Sequence, residues 1–426
     1  MKRIRRFKTH AEYEAYIANV DYPCPNVSYC NDTLYEVHYN GCPPRDYSKD
    51  YFTFMALENG TFKLSGNSVN YSIDNGKTWR YLESETDSPT VTAGNKILWR
   101  ASLTPQSNKG IGTFSSSGRF KAEGNPMSLL YSSNFTGWTS LDNKDNAFAR
   151  LFWAATGLTS AENLVLLATK LGKSSYAYMF YGCTSLTKVP PVLPATALTY
   201  SCYYGMFWGC TSLTTAPVLS ATRLSDNICC YGMFADCASL TSAPELLPIT
   251  LTDSCYRGMF SGCTSLKETP VLSATTMAKS CYADMFKGCT SLTTASELPA
   301  IQLGIGCYSN MFQGCTSLVT PPSELKATTL QQACYYCMFN GCTSLTTAPV
   351  LPAGNLNTNC YAYMFGGCTN LNYVKCLASS ASPSNALTNW LSGVAPNGTF
   401  VKRASMTSWP TGASGIPSGW TVENAT

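Results

Sequence analysis

One phrase, C-Y-x-x-M-F-x-G-C-T-S-L-T-x-x-P, recurs along this chain from about residue 170. Its Met-Phe pairs begin at Met179, Met206, Met233, Met259, Met285, Met311, Met338 and Met364, at spacings of 27, 27, 26, 26, 26, 27 and 26 residues. A constant period of this length dictates stacking, because one unit cannot bury its own apolar face and its neighbours can. Two degenerate copies flank the set. Ala147-Phe148-x-x-Leu151-Phe152-x-x-Ala155-x-x-Leu158 lies 28 residues before Met179, and Ala386-Leu387-x-x-Trp390-Leu391-x-Gly393-Val394 lies 26 after Met364. Both read as the caps that shield the open ends of an array.

Within a unit, Cys202 and Met206 are four apart, as are Tyr203 and Phe207, which predicts one apolar helical face. Gly209 reads as the helix stop, since glycine accepts a left-handed cap. Cys210-Thr211-Ser212-Leu213-Thr214 reads as a strand that Pro217 ends. The expected fold is therefore an α/β repeat solenoid of 26–27-residue helix-turn-strand units. Eight strands about 4.8 Å apart would make a ladder on the order of 40 Å long.

Twenty-one cysteines invite three explanations: disulfides, metal or packing. One repeat slot holds Cys202, Cys229, Cys255, Cys281, Cys307, Cys334 and Cys360, and takes Ala147, Ser175 and Ala386 in other units. The other holds Cys183, Cys210, Cys237, Cys263, Cys289, Cys315, Cys342 and Cys368, and takes Ala155 and Val394. Slots that accept alanine, serine and valine expect a small packing residue, so these thiols read as a structural ladder. The one C-x-x-C, Cys334 to Cys337, starts at a packing slot, and both histidines, His10 and His38, precede the array. No metal ligand set, catalytic set or cofactor site is expected. Reduced thiols also fit folding in a cytosol.

Composition narrows the partners. Charged residues are 13% and the net charge is +4, which gives nucleic acid no broad basic footprint. The basic cluster Lys2, Arg3, Arg5, Arg6 and Lys8 resembles the start of a signal peptide, but His10, Glu12 and Glu14 stand where its apolar core would be. No run reaches the ~18 apolar residues of a membrane helix, so membrane insertion is not expected.

Before the array, residues 1–48 read as a small anchoring element: a capping box at Thr9-x-x-Glu12, a helix to about Asn19, and a hairpin around Asn31-Asp32. Residues 49–130 alternate like strands, with turns at Asn59-Gly60, Asn75-Gly76 and Gly94-Asn95, and predict a β-sandwich-like domain. The solenoid is assigned residues 131–400 and a cap tail 401–426. Ser72-Ile73-Asp74-Asn75-Gly76-Lys77-Thr78-Trp79 resembles the Asp-box of sialidase-type propellers. It occurs once, without the arginine set a sialoside needs, so it reads as a structural hairpin.

The phrase Met206-Phe207-x-Gly209-Cys210-Thr211-Ser212-Leu213 and its copies resemble the BspA-like branch of the leucine-rich repeats, over roughly residues 145–400. That resemblance implies a leucine-rich-repeat-like solenoid that adheres to proteins or glycans without catalysis. Phe7-Lys8-Thr9-x-x-x-Tyr13 followed by Pro25-Asn26-Val27-Ser28-Tyr29 resembles the openings of structural proteins from phages of gut bacteria. Together these imply a virion protein, of fibre, tail or capsid decoration, made in the host cytoplasm. A bacterial cell-surface adhesin is the alternative. The partners expected are other virion proteins at the N-terminal region, a host-surface glycan or protein at the solenoid, and further copies of the chain. Candidate contacts are positions that vary between units while the frame stays fixed: Tyr204, Trp208, Tyr231, Arg257, Lys287, Gln313, Tyr336 and Tyr363. A threonine row, Thr184, Thr211, Thr264, Thr290, Thr316 and Thr343, raises ice binding as a further reading, set against the ordinary solvated face of a strand ladder.

Overall fold

Two kinds of hydrogen bond alternate along the repeated phrase and decide its shape. The N–H groups of Ala177, Met179, Tyr181 and Cys183 donate to the carbonyl three residues back, at 3.1–3.2 Å. Those of Tyr176, Tyr178, Phe180 and Gly182 donate to the next coil, at Cys202, Tyr204, Met206 and Trp208, over 2.7–3.0 Å. Carbonyls alternate likewise: Ser175, Ala177, Met179 and Tyr181 accept from Phe148, Arg150, Phe152 and Ala154 of the coil before. Along this run every peptide group is thus paired, as a buried backbone requires.

The path closes because every fourth residue is left-handed. Ser174, Tyr178 and Gly182 have φ of 53, 57 and 70°, and Ser254, Gly258 and Gly262 have 53, 61 and 74°. A right-handed helix cannot hold such residues. The segment expected to be a helix is therefore a run of overlapping turns, and the helix-turn-strand unit is corrected. Apolar residues four apart mark any chain that shows the same side every four residues. Here that period belongs to the left-handed positions, and Gly209 (φ 75°) is the last of its three rather than a helix stop.

The strand also shifts. Cys210–Thr214 forms none; the parallel pairing falls further on, at single bridges such as Glu268 with Thr294 and Thr294 with Thr320. Prolines such as Pro217 and Pro270 remove a donor beside these bridges and keep them short. The result is a β-solenoid with very little helix.

The computed structural model describes residues 47–426 other than Asn108, with the backbone of three earlier strands. These are β1 (Ile4–Phe7), β2 (Val27–Tyr29) and β3 (Tyr35–His38), in a sheet of order β1-β3-β2 with both pairs antiparallel. The helix expected to about Asn19 lies outside the described residues. Next come β4 (Phe52–Ala56), β5 (Phe62–Ser65), β6 (Val69–Ser72), β7 (Arg80–Leu82), β8 (Lys96–Arg100), β9 (Thr113–Ser116), β10 (Phe120–Gly124) and β11 (Leu158–Leu164). The main sheet has order β11-β10-β4-β8-β6-β7, and β5 pairs with β9.

Strand β11 belongs to the first coil and pairs parallel with β10, so the sheet runs from the N-terminal module into the array. The cores also merge: Phe54 lies 5.0–5.2 Å from Phe62 and Phe114, and 5.8 Å from Phe152 of the first coil. The module caps that coil's outward carbonyls, with Phe114 N–H on Leu151 O at 2.8 Å and Thr113 Oγ1 on Arg150 O at 2.9 Å.

Within the array β12 (Val192–Leu193) pairs with β14 (Val218–Leu219), and β13 (Ala197–Leu198) with β15 (Arg223–Leu224). At the far end β16 (Tyr373–Cys376), β17 (Gly398–Lys402) and β18 (Trp420–Asn424) form a parallel sheet. The turn face is polar along its length, since its coil-to-coil N–H groups all point toward the C-terminal end. Residues 413–415 cap that end: Ala413 O takes Leu391 N–H at 3.3 Å and Ser414 Oγ takes Asn389 N–H at 3.0 Å.

Candidate recognition surface

The interior columns back the surface with closely stacked rings. Phenylalanines from Phe152 to Phe365 stack coil on coil, with centroids 5.3–5.7 Å apart and planes within 15°. A second column runs Phe148, Tyr176 and Tyr203, is interrupted at Cys230, and resumes from Tyr256 to Tyr361.

The thiols do more than fill space. Cys183, Cys210, Cys237, Cys263, Cys289, Cys315, Cys342 and Cys368 each donate S–H to the phenylalanine carbonyl of the preceding coil, at 3.0–3.1 Å. In the other slot Cys229 donates to Asp226 O at 2.8 Å. Burial pushes the Cys229 and Cys360 thiols up to about 11, and Cys281, Cys315 and Cys368 up to about 12. They are protonated at neutral pH, hence donors rather than nucleophiles. All eighteen cysteines among the described residues are free and buried. In native protein at pH 8, iodoacetamide should therefore leave them intact, and denaturant should release them; mass spectrometry reads the adducts. Rapid native labelling of either column would contradict the burial.

On the outside of the turn face, Trp153, Tyr178, Tyr181, Tyr204, Trp208 and Tyr231 form one contiguous, half-buried patch. Trp153 stacks on Tyr181 at 4.2 Å and Tyr204 on Tyr231 at 4.8 Å. Tyr178 crosses them at 62–80°, 5.0–5.6 Å away. Arg150 lies 4.7 Å over Trp153 at one end, and Arg257 lies 5.9 Å from Tyr231 at the other.

Two glycines make the close approach possible: a Cβ on Gly205 would lie 2.8 Å from the Tyr178 ring, and one on Gly232 3.1 Å from Trp208. Trp208 Nε1 donates to Asp236 Oδ2 at 2.9 Å, and Arg257 Nε to Asp284 Oδ2 at 3.1 Å. Burial, then the hydrogen bond with Tyr178, raises Tyr204 to about 12, so its hydroxyl stays neutral.

Four sequence candidates, Tyr204, Trp208, Tyr231 and Arg257, meet in this patch. Lys287 and Gln313 continue the Trp208 column beyond the aromatics, at equivalent positions of later coils. Tyr336 and Tyr363 form a separate pair, 5.9 Å apart at 70°. Sequence reasoning missed Arg150, Trp153, Tyr178 and Tyr181. Each stands beside Leu151 or Met179 at an offset already marked as variable in later units, and alignment on those residues would have found them.

Two other motifs are engaged internally. Asp74 accepts from Ser72 Oγ at 2.7 Å, Thr78 N–H at 2.9 Å and Thr78 Oγ1 at 2.5 Å, bonds that hold its carboxyl far below the usual range. It locks a turn, while Trp79 packs between Tyr51 (4.8 Å) and Arg100 (4.1 Å). In the threonine row, Thr211, Thr264 and Thr343 point their hydroxyls back to carbonyls of the preceding coil at 3.3–3.4 Å.

Residues 170–293 and 279–388 match the family model of the BspA type leucine rich repeat region, in six copies. Together they span 170–388, which is 219 of the 426 residues. Neither the curated proteins nor the solved structures contain a match to the chain.

Proposed function

The chain belongs to the BspA-type leucine-rich-repeat family, and from that premise we propose that it is a non-enzymatic attachment protein of a phage virion. Its N-terminal region is held by other virion proteins, and its solenoid meets the host surface through the aromatic patch. The observation that carries this reading is the patch itself. Six aromatic rings and two arginines, already ordered against one another, are the residue types on which binding energy concentrates. Rings fixed in the free protein lose little freedom on binding.

What favours a virion over an exported protein is the set of protonated, unpaired thiols, suited to a reducing cytosol, together with the resemblance of the opening residues. A bacterial cell-surface adhesin of the same family is the second reading, and the family match favours it. Peptide mass spectrometry on density-purified particles and on envelopes of uninfected host cells separates them. Peptides from residues 202–368 abundant in particles and absent from envelopes are the expected result. The reverse distribution would overturn the virion assignment and make the protein an adhesin.

A further inference from the structure

Beside the aromatic patch, where the N-terminal module meets the first coil, lies a cavity of about 250 Å³. Its wall contains Lys109, Arg150, Gln106, Glu85, Asn67 and Ser65 among other polar or glycine residues, and no aliphatic or aromatic side chain. Arg150 joins the two features: its guanidinium lies over Trp153 and 5.7 Å from Tyr178, and it also lines the cavity.

The Lys109 loop is closed by mutual hydrogen bonds of Gln106 and Gly110 (2.8 and 3.0 Å), and Thr113 ties it to Arg150 O at 2.9 Å. Several lining groups are already committed to the fold: Glu85 accepts Gly66 N–H at 3.2 Å, Asn67 donates to Ile111 O, and Ser65 donates to Thr113 O. Among the described residues neither Lys109 nor Arg150 has a carboxylate partner. Two cations face one carboxylate, which leaves the cavity one positive charge in excess.

We propose that this junction cavity binds the acid group of an acidic sugar, while the next sugars of the same glycan lie across the Tyr178 and Trp208 rings. The inference rests on the attachment reading and names the ligand class for that surface. Size and chemistry choose the class. The cavity is smaller than the roughly 300–1,000 Å³ of pockets that enclose drug-sized ligands, so it takes one ring-sized group. Its lining of polar side chains and glycines, with carbon exposed between the polar groups, suits a hydroxylated ring, and no aliphatic or aromatic residue there offers a peptide side chain a slot. Lys109 Nζ and the Arg150 guanidinium supply charge-assisted hydrogen bonds to the acid, and the Gln106 amide supplies a neutral one.

The test titrates the full chain calorimetrically with sialyllactose, with lactose and with a tetraglutamate peptide, and repeats it on Lys109→Gln. Lys109 makes no ring contact with the patch, so this variant leaves the aromatics in place. Sialyllactose should bind at least about tenfold tighter than lactose, as one charge-assisted hydrogen bond supplies. That ratio should fall in Lys109→Gln and with rising salt. A purely structural effect of the variant would weaken both sugars alike and leave the ratio unchanged, which would overturn the proposal. So would equal binding of the two sugars, no binding of sialyllactose, or tighter binding of the peptide. If sialyllactose fails while the protein still attaches to host cells through Trp208, only this inference falls. If the protein attaches to no host cell, the attachment reading falls with it.

Discussion

Phe260→Ala should destabilise the solenoid by about 3–5 kcal/mol, the usual cost of removing a buried aromatic ring from a close-packed core. Phe260 is wholly buried and stacks on Phe234 and on Phe286, both at 5.7 Å. Its loss cuts one column in the middle of the array. Because each coil touches only its neighbours, the damage stays local and the two halves should part company. Calorimetry is then expected to show a broadened or split transition with an earlier first melt, whereas Phe260→Leu, which keeps much of the volume, should shift the melt less. A single unshifted transition for Phe260→Ala would show that the columns do not hold the coils together.

The second large effect is on binding. Tyr204→Ala combined with Trp208→Ala removes both side chains that one coil contributes to the patch and leaves the interior columns untouched. Residues of this kind cost about 2 kcal/mol or more apiece at the centre of an interface. The pair should weaken attachment to host cells on the order of a thousandfold. Both side chains are half-buried, so the melting temperature should change little. Tyr336→Ala with Tyr363→Ala is the control, because that pair sits apart from the patch, and it should bind like the parent. Equal losses in both double variants would mean that the contact is spread along the face. No loss in either would place it elsewhere.

The period and the inward columns were legible because the repeat fixes them: a residue such as Phe207 must face Phe180 and Phe234 if coils stack in register. The local path was not legible. Cys202, Met206 and Tyr203, Phe207 obey a four-residue spacing that a helix and a run of left-handed turns share. A different signal was present in the columns that alternate with them. Ser174, Ser201, Ser254 and Ser280 share one left-handed position; Gly205, Gly232, Gly258, Asp284 and Asn310 share the next. Glycine, asparagine and aspartate are the residues that tolerate that conformation.

The patch was half found for a related reason. Tyr204, Trp208 and Tyr231 sit in regular units, whereas Arg150 and Trp153 sit in a degenerate unit read only as a cap. The thiol hydrogen bonds left no trace in sequence, since a slot that also accepts Ala155 and Val394 gives no hint of a donor.

Everything on the turn face, from the stacking of its rings to its place beside the cavity, depends on that face being a ladder of turns with left-handed residues. The denaturation midpoint of Gly258→Ala tests this most directly. Gly258 has φ +61° and nothing within 4 Å of an added Cβ, so the substitution probes the backbone alone. In a left-handed position alanine costs about 1–2 kcal/mol, and the midpoint should fall. In a helix interior the same change would stabilise by roughly 0.5–1 kcal/mol, and a midpoint that rises would contradict the turn ladder and return the face to helices.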